Sequence, residues 1–395
     1  MLSAGQAGLM NGAPCPHDPP PADAADTAAL LALVLAGGAA APLRQLLDTC
    51  GSAGEAVAAG AGAWRAAGCS AEQCQAIATP DTAQLARAEQ WLSAGGNHLL
   101  AWGSADYPPL LRDSPNPPLA LFVAGNPALL WQPAIAIVGS RVPTPGGRDN
   151  ARDFATALAA SGLTIASGLA AGIDAAAHRA ALACAAPSYA VIGTGPDLAY
   201  PRHHRELQAQ LAAAGAVVSE YPPGTPPRSG QFPARNRVLA ALALGTVVIE
   251  AAERSGALIT ARLASEAGRE AFAVPGSIHN PLTRGCHRLI RDGATLVTHA
   301  SDILEGVANM AGELALALQN RLHTPTSNAP AAPPLAPALP GPDYQRLWNA
   351  LGFDPTGMDS LIERTGLTAA SLSSMLLVME LEGRVSSNYG RYTRT

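Results

Sequence analysis

The sequence predicts an α/β protein organised on a doubly wound parallel sheet, with a small helical module before it and a second small domain after it. Between Ala134 and about Glu305, short apolar runs alternate with helical stretches, the pattern of repeated β-α-β units. The first run, Ala134 to Gly139, is apolar throughout, as a strand buried on both faces must be. At 395 residues and 48% hydrophobic composition, the chain has material for a large core and for two or three domains.

Met1 to Pro21 is rich in Gly, Pro and small polar residues and reads as a disordered tail (1–21). Residues 22–95 are Ala/Leu-rich and punctuated by Gly51, Gly60, Gly68 and Gly95-Gly96. That spacing predicts several short helices, one capped by Ser70, in a small helical module; helix-hairpin-helix and SAM-like modules have this look, as does generic small helical packing. Leu99–Trp102 reads as a strand, and Leu119–Val123 as a second strand closed by Gly125, extending the main sheet.

Further strands are expected at Ala134–Gly139, Leu163–Ser167, Tyr189–Gly193, Ala216–Glu220, Thr246–Glu250 and Ala271–Pro275. The intervening helices are expected at Arg148–Ser161, Ile173–Cys184, Arg202–Ala214, Arg235–Ala243 and Ala257–Gly268. A helix over Ser301–Leu322 completes a domain spanning 96–322. Residues 323–342 are a Pro/Ala linker, unsuited to helix or sheet. In 343–395, helices beginning near Tyr344, Ser360 and Thr368 precede a hairpin from Gly383, the outline of a winged helix.

Composition excludes several classes. The net charge of −5 gives no global nucleic-acid signal, so any basic surface is local. Every basic residue is Arg, which beside the abundant Ala, Gly and Pro reads as a compositional bias. Cysteines at 15, 50, 69, 74, 184 and 286 form no C-x-x-C pair and read as reduced thiols, neither a zinc site nor a disulfide framework. The apolar run Ala28–Pro42 follows Asp23 and Asp26, a poor signal peptide, and is too short to span a bilayer. A cytoplasmic protein without membrane contact is expected.

Signatures of catalysis are scarce. There is no P-loop and no G-x-S-x-G elbow, and Gly193-Thr-Gly195-Pro196 lacks the dinucleotide fingerprint. His203-His204 are adjacent and cannot share a helical face. Glu220 and Glu250 end separate strands with nothing to make them an acid/base pair. No catalytic residue, metal or cofactor is expected.

Anion-binding turns are plentiful. Gly139-Ser140-Arg141 ends one strand, Ser167-Gly168 opens a small-residue turn to Asp174, and Ser255-Gly256 precedes a helix. Such turns present backbone amides at helix N-termini, where phosphates bind. Arg228 to Arg237 carries three Arg, Asn236 and the scarce aromatic Phe232 in a Gly/Pro-rich loop. Guanidinium pairs with phosphate and an aromatic ring stacks on an unpaired base, a combination suited to single-stranded nucleic acid. Arg235 and Arg237 at a helix start oppose the helix dipole, and a bound anion would account for them.

These residues resemble the DprA/Smf family, the DNA-processing proteins of bacterial natural transformation. The resemblance covers most of the chain. It rests on Asp106-Tyr-Pro-Pro-Leu-Leu, Ile137-Val-Gly-Ser-Arg, Ser167-Gly-Leu-Ala-Ala-Gly-Ile-Asp, Tyr200-Pro and Ser219-Glu-Tyr-Pro. It continues through Phe232-Pro-Ala-Arg-Asn-Arg, Val248-Ile-Glu-Ala, Ser255-Gly-Ala-Leu-Ile-Thr-Ala and Val274-Pro-Gly-Ser. It implies an extended Rossmann fold that binds single-stranded DNA without known catalysis, forms a homodimer and helps load RecA. It also implies the SAM-like module and, as in many members, the winged helix.

Carried over by position, the family's DNA groove maps to Arg141, Gly168, Gly224, Phe232, Arg235, Asn236, Arg237, Ser255 and Gly256, with Arg228 added here. Two departures stand out. Ala171 occupies a position where the family usually has Arg, and Ser229 one where a basic residue is frequent; Arg228 sits beside the second. The loss of two positive charges weakens phosphate binding and flattens its salt dependence.

Two other readings compete. One is a Rossmann nucleotide hydrolase of the LOG-like phosphoribohydrolase type, but Glu253-Arg-Ser-Gly-Ala-Leu-Ile-Thr lacks paired glycines and places Leu258 and Ile259 where polar groups are needed. The other is a protein-docking scaffold, since the last domain balances five Arg against six acids and makes no strong case for duplex binding.

Overall fold

One nine-stranded sheet organises the larger part of the computed structural model, which describes residues 24–323, 342–351, 356–381, 385–388 and 391–394. The tail expected at 1–21 and most of the linker expected at 323–342 lie outside the described residues. The chain divides into two compact units between Thr324 and Pro325.

The strands are β1 (Asn97–Ala101), β2 (Ala120–Gly125), β3 (Ala134–Gly139), β4 (Thr164–Ser167), β5 (Ser188–Ile192), β6 (Ala216–Ser219), β7 (Gly245–Glu250), β8 (Glu270–Ala273) and β9 (Thr295–Leu296). Their order is β1-β2-β6-β5-β4-β3-β7-β8-β9. From β6 to β9 all neighbours run parallel; β2 lies antiparallel to both β1 and β6. The expected extension of the main sheet is thus a hairpin-like pair added at the β6 edge.

Both faces of β3 are covered. Ile135 and Ile137 pack with Phe154 and Leu158 of helix Pro145–Ala160 and with Ile173 and Ala177 of helix Ile173–Ala183. Ala134, Ala136 and Val138 pack on the other side with Tyr189, Leu239 and Leu242. This alternation, with every member buried, explains why the strand reads as a continuous apolar run.

Helix boundaries shift where local chemistry outweighs apolar spacing. Helix Pro145–Ala160 starts three residues before Arg148, because Thr144 accepts from the Gly147 amide at 3.0 Å and Pro145 occupies the first turn. Helix Gln231–Leu242 starts four residues before Arg235, with Pro233 tolerated in its first turn, so Phe232 lies on a helix and not in a loop. Helix Arg284–Arg291 and the two-residue β9 were not expected from the sequence.

Six helices between Ala24 and Ser93 form the N-terminal module. Ser70 caps Ala71–Ala78 in a reciprocal capping box with Gln73. The module shares its apolar core with the sheet: Leu30, Leu43 and Trp64 cluster with Leu119, and Leu31 and Ala88 with Phe122 of β2. Trp102 donates to Asp48 at 2.9 Å and lies beneath the Arg44 guanidinium, 5.2 Å from the ring centre.

The second unit has helices Pro342–Ala350, Met358–Thr365 and Ala369–Leu381 and a small sheet of β10 (Thr356–Gly357), β11 (Val385–Asn388) and β12 (Arg391–Arg394). Its strand order is β10-β12-β11. Leu347, Leu361, Leu372 and Leu376 form its core. Three helices and a strand pair make the winged-helix outline.

Candidate nucleic-acid interface

In an open parallel sheet, ligands lie outside the carboxyl ends of the strands. Here those ends follow the order β6, β5, β4, β3, β7, and a cleft of about 670 Å³ opens above the last four.

At the end of β3, Gly139 leaves room for the Ile173 side chain: a Cβ would lie 2.7 Å from Ile173 Cγ1. Ser140 accepts from the Val142 amide at 3.1 Å, which turns the chain outward. Arg141 projects from that turn into the cleft, exposed and without a hydrogen bond or ion pair.

The β4 turn is pinned from below. Ser167 Oγ donates to the Ile137 carbonyl at 2.6 Å. The Gly168 and Ala170 amides donate to Asp174 Oδ2 at 3.0 and 3.3 Å. Gly172, at φ +86°, sits where a Cβ would strike the Arg141 carbonyl at 2.7 Å. The second glycine turn therefore packs directly on the peptide that carries Arg141.

Arg235 is only 6% exposed. Its Nη1 donates to the Gly168 carbonyl at 2.7 Å and to the Val191 carbonyl, and Nε donates to Asn236 Oδ1 at 3.1 Å. Gly168 makes this possible, since a Cβ there would lie 2.6 Å from Nη2. Burial pulls the Arg235 pKa down to about 10, opposed by Asp174 nearby, so the guanidinium stays charged at neutral pH. Burial likewise pushes the Asp174 carboxyl up, against the pull of Arg235 and of the amides of Ala170 and Gly168. Arg237 pairs with Glu220 at the end of β6. Arg235 is thus satisfied by strand carbonyls, while Arg237 pairs with Glu220 through Nη2 and keeps a buried Nη1 without a partner.

Phe232 lies against Gly193 on one side and Tyr200 on the other, ring centres 5.0 Å apart and tilted by 36°. Tyr200 is 43% exposed and lines the same cleft. Arg228 is exposed there and its side chain has no partner. Ser255 caps helix Gly256–Glu266 by accepting from the Ala257 amide at 3.2 Å, and nothing approaches Gly256 within 4 Å of a Cβ position.

The cleft therefore gathers Arg141, Gly168, Arg228 and Phe232 with Arg235, Asn236, Ser255 and Gly256. Arg237 and Gly224 lie outside its lining. Gly224, at φ +84°, packs against Arg87 of the helical module and donates to Asp197 at 2.8 Å. Sequence reading gave Tyr200 no place in the interface; its nearness to Phe232 depends on the β5 and β6 turns meeting in space.

Glu250 and Glu220 do not meet. Glu250 accepts from the Thr144 amide at 2.8 Å, the Thr144 hydroxyl at 2.6 Å and Asn280 at 3.3 Å, at the start of helix Pro145–Ala160. Among the described residues no group of His, Cys, Asp or Glu is arranged to hold a metal, and the described cysteines are free thiols. No helix among them is long and apolar enough to cross a membrane.

A doubly wound sheet with free guanidiniums, glycine turns and aromatic rings over its carboxyl edge, joined to a helical module and a separate winged helix, defines a Rossmann-type DNA-processing protein. The profile described as DNA recombination-mediator protein A matches residues 98–308, and that of the DprA winged helix domain matches 329–391. The chain belongs to the DNA recombination-mediator protein A family. It is 40% identical over 305 residues to Protein Smf of Escherichia coli (strain K12), covering 77% of this chain and 79% of that protein. To the DNA processing protein DprA of Streptococcus pneumoniae it is 46% identical over 198 residues, 50% of this chain and 70% of that one. The X-ray structure of the Streptococcus pneumoniae protein superposes with a TM-score of 0.62 at 36% identity, covering 70% of this chain and 96% of that one.

Proposed function

We propose that the cleft binds single-stranded DNA and that the protein acts as a recombination mediator, protecting incoming DNA and helping to load RecA during natural transformation in the cytoplasm. The observation that carries this is the convergence of Arg141 and Arg228, both exposed and unpartnered, with the Phe232–Tyr200 ring pair in one open cleft. Phosphates engage the guanidiniums and bases stack on the rings. Arg235, Asn236 and Gly168 shape the floor, and Arg237 with Glu220 braces its rim.

No enzymatic step is part of this reading. Both strand-end carboxylates are engaged by the protein itself, and Ile259 lines the cleft where a nucleotide hydrolase would need a polar group. The open edge at β9, with Leu296 exposed, supports assembly as a homodimer.

A gel-shift titration with single- and double-stranded oligomers at two salt concentrations tests the central claim. Preferential single-strand binding that weakens with salt is expected; equal or absent binding overturns it. RecA filament formation on protein-coated single strands tests the mediator role, and release of free base from nucleoside monophosphates would restore the hydrolase reading.

A further inference from the structure

We propose that Arg87 of the helical module forms a phosphate subsite beyond the cleft, so that a long single strand runs past β6 onto that module. This rests on the reading of the cleft as a single-strand groove.

The contacts lead outward step by step. Phe232 packs on Gly193 at the end of β5. Two residues on, the Gly195 amide donates to the Thr225 carbonyl at 3.0 Å, which ties the β5 turn to the turn after β6. Gly224 stands in that turn, and a Cβ there would lie 2.7 Å from Arg87 Cδ and 3.0 Å from Cζ. The missing side chain at Gly224 is what lets the guanidinium lie over the backbone at the end of the outermost parallel strand. With neighbouring strands about 4.8 Å apart, the β7-to-β6 edge spans roughly 19 Å, and Arg87 stands at its far end.

Arg87 is held there by its neighbours. Ala88 is fully buried with Leu31 against Phe122 of β2, and Trp91 meets the Phe122 ring edge-on at 6.0 Å. Phe122 pairs in register with Ser219 of β6, so the helix carrying Arg87 is fixed to the strand beside β6. The guanidinium is exposed and has neither ion pair nor hydrogen bond. Asp81, which feels its charge, is occupied capping the same helix through the Ala83 and Gln84 amides. Asp197 is likewise engaged by the Gly224 amide at 2.8 Å. A free cation on a fixed helix, at the end of a groove that holds the free cations Arg141 and Arg228, suits a phosphodiester.

The test is a length series of oligo-dT, from about 4 to about 20 nucleotides, bound to the intact protein and to Arg87→Ala and Arg141→Ala variants. Arg87→Ala is expected to bind the shortest oligomers like the wild type. It should bind the longest about 3- to 10-fold more weakly, with a salt slope lower by about 0.7. Arg141→Ala should weaken binding at every length. If Arg87→Ala matches the wild type throughout while Arg141→Ala is weakened, the subsite does not exist. If it is equally weakened at all lengths, Arg87 acts within the cleft or through the fold, and the extended path is wrong. A wild type that binds no length overturns the cleft reading and this subsite with it.

Discussion

The Arg235 guanidinium donates to the Gly168 carbonyl at 2.7 Å, while the Gly168 amide donates to Asp174 at 3.0 Å. One glycine residue is thereby held through both of its flanking peptides just past the end of β4. Removing either holder leaves a buried polar group without its partner, which costs far more than an exposed contact is worth.

Arg235→Ala is therefore expected to lower stability by about 3–5 kcal/mol in a urea titration and to lose DNA binding as a consequence. Arg235→Lys should restore it only in part, since the ammonium has no counterpart to the Nε–H that Asn236 accepts. Gly168→Ala attacks the same contact, so the double variant should cost less than the sum of the singles. An unchanged midpoint for Arg235→Ala would refute this structural role.

Arg141 is the contrasting case, exposed and unpartnered. Arg141→Ala is expected to leave the unfolding midpoint within about 0.5 kcal/mol of the wild type. It should flatten the plot of log affinity against log salt by about 0.7, one phosphate's share on a single strand. Fluorescence anisotropy with labelled oligo-dT at several salt concentrations measures both slope and affinity; an unaltered slope would remove Arg141 from the groove.

Phe232→Ala should weaken oligo-dT binding by about 1–3 kcal/mol if the ring pair carries a base. Tyr200→Ala should do the same, while Tyr200→Phe keeps the stacking face and should bind normally. A loss in Tyr200→Phe equal to that in Tyr200→Ala would point to the hydroxyl and not to stacking.

Burial holds His178 down at about 3, with Nδ1 bound to Ser188 Oγ at 2.8 Å and Nε2 unpartnered. Its folded value is depressed, so its contribution is complete above the unfolded value of about 6.5 and is lost as pH falls from there toward 3. The slope from this group alone is about 1.4 kcal/mol per pH unit. His204, also lowered chiefly by burial, adds to the same trend, while Asp174, raised by burial, works against it. Comparing His178→Gln with the wild type in urea titrations across this range isolates the residue: the variant's profile should be shallower. Parallel profiles would mean that His178 is not the group responsible.

The sheet was legible because its strands are short, wholly apolar and end in glycine, a pattern that periodicity detects without tertiary knowledge. Arg284–Arg291 escaped because Arg-Gly-Cys-His-Arg-Leu-Ile-Arg offers only a narrow apolar stripe, and β9 because two residues give no period. At the interface, sequence chemistry picked out turns that line one cleft but could not separate free cations from engaged ones. Arg141 and Arg235 look alike in the sequence. Only the approach of Gly168, 67 residues away, buries one of them. The Arg237–Glu220 pair and the Phe232–Tyr200 contact depend in the same way on strand order, which local pattern does not carry.

That strand order also sets a timetable for the nascent chain. On one side β3 meets β4, which follows it closely, but on the other it meets β7, with Ile135 opposite Gly245. At synthesis rates of about 5–20 residues per second, the β7 partner emerges some 5–20 seconds after β3. Through that interval the ribosome holds out an apolar strand with one unpaired edge, the kind that recruits other chains. The strand that leads into Arg141 thus begins as a peptide edge that must itself be kept from unsuitable partners.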